Sequence, residues 1–303
     1  MYRDNSYNVV LNASYRAAWR IEDVIGDGDV LDFTRPLMPE ALARVNTLKG
    51  LTACERLILN HIRAHEYLGM FGLVEEFVLP FVLDHARQQL SGDDWRVRAL
   101  LQFAGEEAKH IQLFKRFHDV FETGFGIECP MIGPVEAVAA EILRHDPLAV
   151  ALAILQIEWM TQSHYVDSVR DDGDLDPLFK SLLKHHWMEE AQHARLDTLM
   201  VEALAEGRND DEIARAFAGY LEIGAFLDKG LAAQTALNLG VFERVAGRTL
   251  GSADRTAFLA QQHQATRWTF LGSGMTHPRF RATLAKVSPA ADAALAAVAP
   301  AFC

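Results

Sequence analysis

Cysteine is scarce in this 303-residue chain, and the three present, Cys54, Cys129 and Cys303, lie far apart with no CxxC pair. That excludes a disulfide framework and a cysteine metal knuckle, so any redox chemistry has to come from elsewhere. Long apolar runs are missing too. The most apolar stretch, Pro147 to Met160, contains Glu158 and falls short of the roughly 20 residues a spanning helix needs. The opening residues, Met1-Tyr2-Arg3-Asp4, carry no apolar signal core, so a cytoplasmic location is expected. Basic charge is in deficit, with 29 Lys and Arg against 41 Asp and Glu and a pI near 5.4. An acid excess with no basic cluster argues against a nucleic-acid partner, because phosphate binding rests on grouped Lys and Arg. Half of the residues are apolar and 23% charged, the make-up of a folded chain with a sizeable core.

Alternating strand patterns are nearly absent, whereas apolar residues recur at spacings of three and four, which predicts an all-α fold. A first helix is expected over Tyr7 to about Ile25, followed by a loop through Gly26-Asp27-Gly28-Asp29 to Pro39. Two long helices, about 52–90 and 94–123, meet at Ser91-Gly92-Asp93, and two more, about 148–170 and 178–206, meet at Asp171 to Asp174. A short helix near 135–144 joins the two hairpins. Further helices are expected over 211–239, 253–270 and 289–298 with no Pro- or Gly-rich linker before them, so residues 1–303 read as a single domain. Its bundle core is about 52–206, and 207–303 form a helical extension packed on it.

Two nearly identical pentapeptides stand out: Glu106-Glu107-Ala108-Lys109-His110 and Glu189-Glu190-Ala191-Gln192-His193. Each holds Glu-x-x-His, which puts a carboxylate and an imidazole on one helix face. With twelve histidines one such match is expected by chance, but two in matching pentapeptides point to a repeat. The difference in numbering between the two histidines, 193 − 110, equals that between Glu158 and Glu75, 158 − 75, and both of these glutamates lie among apolar neighbours. Each hairpin therefore reads Glu and then Glu-x-x-His at one fixed spacing, since 107 − 75 equals 190 − 158; Glu76 would break this symmetry. The midpoints, residues 91 and 174, fall in the two turns. Sixteen residues at 1.5 Å each then set Glu75, Glu107, His110, Glu158, Glu190 and His193 in one layer, roughly 24 Å from each turn. Carboxylates on a core face have to be paired, and two divalent cations would neutralise four of them.

One Glu on each of two helices and Glu-x-x-His on each of two others resembles the ligand pattern of ferritin-like di-iron and di-manganese carboxylate proteins. The resemblance covers about residues 52–206 and implies a four-helix bundle with additional N- and C-terminal helices. It implies those six residues as ligands, Glu107 and Glu190 as bridges, and two Fe ions, with Mn or a mixed Fe/Mn pair as options. The chain is too long for a storage ferritin, lacks the cysteines of a rubrerythrin, and has Phe114 where the radical-bearing ribonucleotide reductase subunit carries its tyrosine. His186, four residues before Glu190 and seven before His193, completes His-x-x-x-Glu-x-x-His. This is similar to the p-aminobenzoate N-oxygenase group of di-iron arylamine oxygenases, in which a third histidine joins the metal site; the alternative is a buried polar histidine.

The expected function is thus a non-haem di-iron oxygenase, a mono-oxygenase-type oxidoreductase that activates O2 to oxygenate a small organic substrate such as an arylamine nitrogen. No GxGxxG follows a strand, so electrons would come from a reductase or ferredoxin, and a homodimer without membrane contact is expected. An acyl desaturase or hydroxylase, a non-catalytic ferritin-like metal binder and a metal-dependent hydrolase stay open as alternatives. His61 and His65 are read as surface residues, Glu106 and Glu189 as either partners of the ligands or solvated, and Trp159, His164 and Tyr165 as core.

Overall fold

A computed structural model describes the backbone of residues 2–303 and the side chains from Tyr7 onward. Among the described residues there is no strand. The chain starts with α1 (Tyr2–Ala17) and short turns α2 (Ile21–Val24) and α3 (Glu40–Ala43), then enters α4 (Ala53–Arg87) and α5 (Asp94–Phe125). α6 (Val135–Leu143) leads into α7 (Pro147–His164) and α8 (Pro177–Ala205). The remainder is α9 (Asp210–Ala246), α10 (Ser252–Arg267), α11 (Ser273–Met275), α12 (Pro278–Val287) and α13 (Pro289–Val298).

The helix starts that set the register of the bundle are written locally. Thr52 caps α4 in a reciprocal box with Glu55, and Asp93 caps α5 by accepting from the Trp95 amide. Asp146 and Asp176 cap α7 and α8, each followed by a proline whose missing N–H is no loss at that position. Each such cap is worth about 1 kcal/mol, and together they fix where the turns fall.

α4 packs along α5, α7 along α8, and the two hairpins meet through α5 and α8. α1 lies across α5 and α8, α9 covers α7 and α4, and α12 closes on α7 and α8. No helix among the described residues is long and apolar enough to cross a membrane. The three cysteines are free, with Cys129 buried and the others exposed.

Three expectations need correction. The first helix does not run unbroken to Ile25: it ends at Ala17, and the bend that follows turns Trp19 inward, where it is 8% exposed. A helix over 278–287 is added to those expected, and Pro278 at its first turn marks the start. His61 and His65 are buried rather than at the surface. The loop after α2 lies over His61, whose Nε2 is 2.9 Å from the Arg35 carbonyl and whose ring meets Phe33, and His65 faces His118 across the hairpin.

Candidate metal centre

The seven residues singled out in the sequence converge in the middle of the bundle, and all are buried: Glu75 on α4, Glu107 and His110 on α5, Glu158 on α7, and His186, Glu190 and His193 on α8. Two overlapping groups, Glu75/His110/His186/Glu190 and Glu107/His110/Glu190/His193, each offer one ligand atom per residue within 4.8 Å of one another. Glu158 belongs to neither group and lies against Glu190, as Glu75 lies against Glu107. Glu76 turns away and pairs with Lys115 at 3.3 Å.

The central geometry has near two-fold symmetry. Glu107 places Oε2 3.3 Å from His110 Nδ1 and Oε1 3.0 Å from His193 Nδ1. Glu190 places Oε1 3.0 Å from His110 Nδ1 and Oε2 3.2 Å from His193 Nδ1. Each of these carboxylates therefore spans both histidines. His186 adds a third imidazole, with Nε2 2.8 Å from Glu190 Oε1 and 3.3 Å from Glu75 Oε1.

Glu107 Oε1, Glu190 Oε1 and Glu158 Oε2 are buried and accept no hydrogen bond, although the first two lie about 3 Å from imidazole nitrogens. Leaving a carboxylate oxygen buried and unsatisfied costs several kcal/mol unless something else meets its lone pairs. Oxygen and nitrogen lone pairs gathered at short range without aligned hydrogen bonds suit cations placed among them.

Electrostatics agrees. Burial, reinforced by the Glu107 charge for Glu75 and by the Glu190 charge for Glu158, pushes both carboxyls well above the ordinary carboxylate value. Burial acts on Glu107 in the same sense, but the His193 charge and the Glu75 hydrogen bond overcome it and hold Glu107 at about 2. His110 and His193 lose solvation but are raised well above the ordinary imidazole value by their carboxylate partners, whereas burial lowers His186. Without cations the cluster thus gathers protons, which metal ions would displace.

The other nitrogen of each core histidine is held by the opposite hairpin. His110 Nε2 lies 2.9 Å from Glu189 Oε2, and His193 Nε2 lies 2.9 Å from Glu106 Oε2. These carboxylates are buried and therefore partners of the histidines, not a solvated face. Such partners fix which imidazole nitrogen points inward. Helix α1 and the bend after it complete the arrangement: Ser14 Oγ donates to Glu106 at 2.6 Å, and Lys109 Nζ pairs with Glu189 while donating to the Trp19 carbonyl at 3.0 Å. The Trp19 ring stacks on His110 with centroids 5.9 Å apart.

Asp197 is a further buried acid that the sequence reading passes over. It is 1% exposed, its Oδ2 has no hydrogen bond, and burial raises its carboxyl well above the usual value despite the His193 charge. A signal is present, since it stands one turn after His193 on the same face, but its counterpart in the first hairpin is Phe114, so the repeat conceals it. His164 and Tyr165 do serve as packing, with His164 Nδ1 3.3 Å from the Tyr67 hydroxyl, its Nε2 3.1 Å from Ser273 and Tyr165 stacked on Trp187, whereas Trp159 is half-buried, stacks on His277 and lines a surface pocket with it.

A mostly apolar cavity of about 270 Å³ opens between α4 and α5, lined by Leu68, Gly72, Leu73, Ile111, Phe114 and Met131, with Lys115 and Glu76 at its rim. Gly72 faces open space there, and Gly69 admits Met131 where a Cβ would stand 2.5 Å from its methyl carbon. Phe114 separates the cavity from the cluster: its ring packs on Phe71 at 5.8 Å and on His186 at 5.0 Å.

The family model described as p-aminobenzoate N-oxygenase AurF matches residues 32–223, which include all seven residues and Asp197. No curated protein sequence matches the chain. Among solved structures, a mutant R2-like ligand-binding oxidase with an aerobically reconstituted Fe/Fe cofactor is 15% identical, with 90% of this chain and 92% of that chain covered and a TM-score of 0.48. Another mutant of the R2-like ligand-binding oxidase, with an Mn/Fe cofactor, is 14% identical over 87% and 96% of the two chains, with a TM-score of 0.47. The chain belongs to the p-aminobenzoate N-oxygenase AurF family and is an oxidoreductase of the di-iron oxygenase type.

Proposed function

We propose that Glu75, Glu107, His110, Glu158, His186, Glu190 and His193 would hold two metal ions, both iron or an iron and manganese pair, with Glu107 and Glu190 placed to serve both. The observation that carries this reading is the pair of carboxylates that each span both histidines while leaving buried oxygens without hydrogen bonds. When bound, the metals would supply redox chemistry and open positions for O2, with the electrons delivered from outside the chain. The overall reaction is amine plus O2, two electrons and two protons, giving a hydroxylamine and water.

The chain's own groups have separable tasks. Phe71 and Phe114 keep water from the His186 side, the cavity takes a single aromatic ring whose amine reaches the cluster when Phe114 turns aside, and Lys115 at the rim exchanges Glu76 for an anionic substituent. Asp197, whose carboxyl burial raises well above the usual value, would serve as a proton reserve one turn beyond His193. The cavity volume favours a small substrate over a long acyl chain. Electrons come from a separate reductase or ferredoxin. The chain acts as one domain over 1–303, in the cytoplasm, as a homodimer; exposed Val9 and Tyr15 on α1 and Trp95 and Leu101 on the adjoining α5 support the last point.

The test is metal analysis of tag-free protein combined with p-aminobenzoate turnover. About two metals per chain and oxygen-dependent hydroxylamine formation are expected. Less than about half an equivalent after reconstitution with iron or manganese rules out the ligand assignment, and product formed without oxygen points to hydrolysis.

A further inference from the structure

Apart from the central cluster, one further group of side chains among the described residues gathers metal-binding atoms: His65 on α4 with His118 and Glu122 on α5, their ligand atoms within 4.8 Å of one another. The imidazoles face each other across the hairpin with Nε2 atoms 2.8 Å apart and ring centroids 4.5 Å apart. Glu122 sits one turn beyond His118, with Oε1 3.9 Å from His118 Nδ1 and a side chain 40% exposed, so it has the rotamer freedom to swing inward.

Two ring nitrogens at that distance can share only one proton, and protonating both places like charges in contact. Burial, with His118 alongside, holds His65 at about 3, so its imidazole is neutral near pH 7 and keeps a lone pair for a Lewis acid. A metal about 2.1 Å from each nitrogen would subtend about 85° at this separation, near the right angle of six-coordination and below the tetrahedral value. Two histidines and one carboxylate leave several positions open, the pattern suited to Fe2+. Access comes from His118, which is 31% exposed and lines the α4/α5 cavity, while its partner His65 is buried at 1%.

We propose that His65, His118 and Glu122 form a separate site for one divalent transition metal of the Fe2+ or Co2+ kind. His118 is eight residues past His110, about 12 Å along α5, so this site neither shares ligands with the central cluster nor needs it filled.

The test is an anaerobic Co2+ titration of the tag-free full chain, followed by visible absorption and by metal counting after dialysis. Wild type is expected to hold one equivalent more than His118→Ala and than His65→Phe. Glu122→Gln, a surface change that leaves the fold intact, is expected to weaken that last equivalent tenfold or more. Equal counts in wild type and both histidine variants overturn the proposal, as does a Glu122→Gln titration superimposable on wild type. If the histidine variants fail to fold by circular dichroism, the Glu122→Gln titration decides alone. A central cluster that binds nothing lowers every count equally and leaves these differences unchanged.

Discussion

The two hairpins of the bundle are copies in what they bring to the centre and unlike in what surrounds it. Glu75 and Glu158, Glu107 and Glu190, His110 and His193, and Glu106 and Glu189 are all related by the same repeat offset and occupy equivalent places. Among the departures from this copy, two stand next to the central histidines. Phe103 in the first hairpin corresponds to His186 in the second, and Phe114 corresponds to Asp197. The aromatic of each pair packs on a histidine: Phe103 on His193 at 4.1 Å, and Phe114 on His186 at 5.0 Å. Repetition thus makes a symmetric pair of bridging carboxylates, and two departures from it make the flanks chemically distinct. One flank has a third imidazole beside the apolar cavity, and the other has a buried acid.

The largest expected effect tests the symmetric part. Glu190 approaches three histidines and Glu107 two, so Glu190→Ala should drop metal content below about half an equivalent, whereas Glu107→Ala keeps about one, as counted by elemental analysis. Equal losses would break the proposed inequality between the halves. Next comes His186→Phe, which makes the second hairpin copy the first. It should leave nearly two metals bound but cut amine-dependent oxygen consumption by about 100-fold or more, with Phe103→His offering no rescue.

Acid lability provides a third comparison. His61, His65 and His85 on α4 and His164 on α7 are all lowered by burial, with His85 at about 4 and His65 and His164 at about 3. A buried neutral histidine contributes stability that is fully present above its unfolded value near 6.5 and is lost as pH falls toward the folded value, because the unfolded chain binds the proton first. Tm should therefore fall between pH 7 and pH 5. With three such histidines on α4 against His164 on α7 and His186 on α8, hydrogen exchange at pH 5.5 should open the first hairpin before the second. The smallest effect is at the cavity rim: Lys115→Gln should raise KM for a carboxylated substrate a few-fold and leave kcat unchanged, and a neutral analogue should not respond.

Much of this is legible in the sequence because it is local or periodic. Capping residues and turn residues set the helix limits within a few positions, and the repeat offset picks out Glu75 over Glu76 without any contact being known. What escapes depends on distant parts of the chain. Burial of His61 and His65 is imposed by a loop before α3 and by α5, which no spacing along α4 reports. Asp197 lies in a sequence position whose repeat partner is a phenylalanine, so a search by symmetry discards it. Ser14 on α1 holds Glu106, and the Trp19 carbonyl in the bend after it holds Lys109 against Glu189, and nothing between Met1 and Asp32 distinguishes them as a motif.

The crossed bonds Glu106 to His193 and Glu189 to His110 have a consequence for assembly. Neither hairpin contains the partner that orients its own histidine, so each half is an unfinished chelator. A chain split in the α5–α6 connection would yield two fragments that hold metal weakly when apart and acquire full affinity only when docked. Metal would then act as the cross-link between them, and its release would be felt as loosening of the interface between two otherwise intact helical pairs.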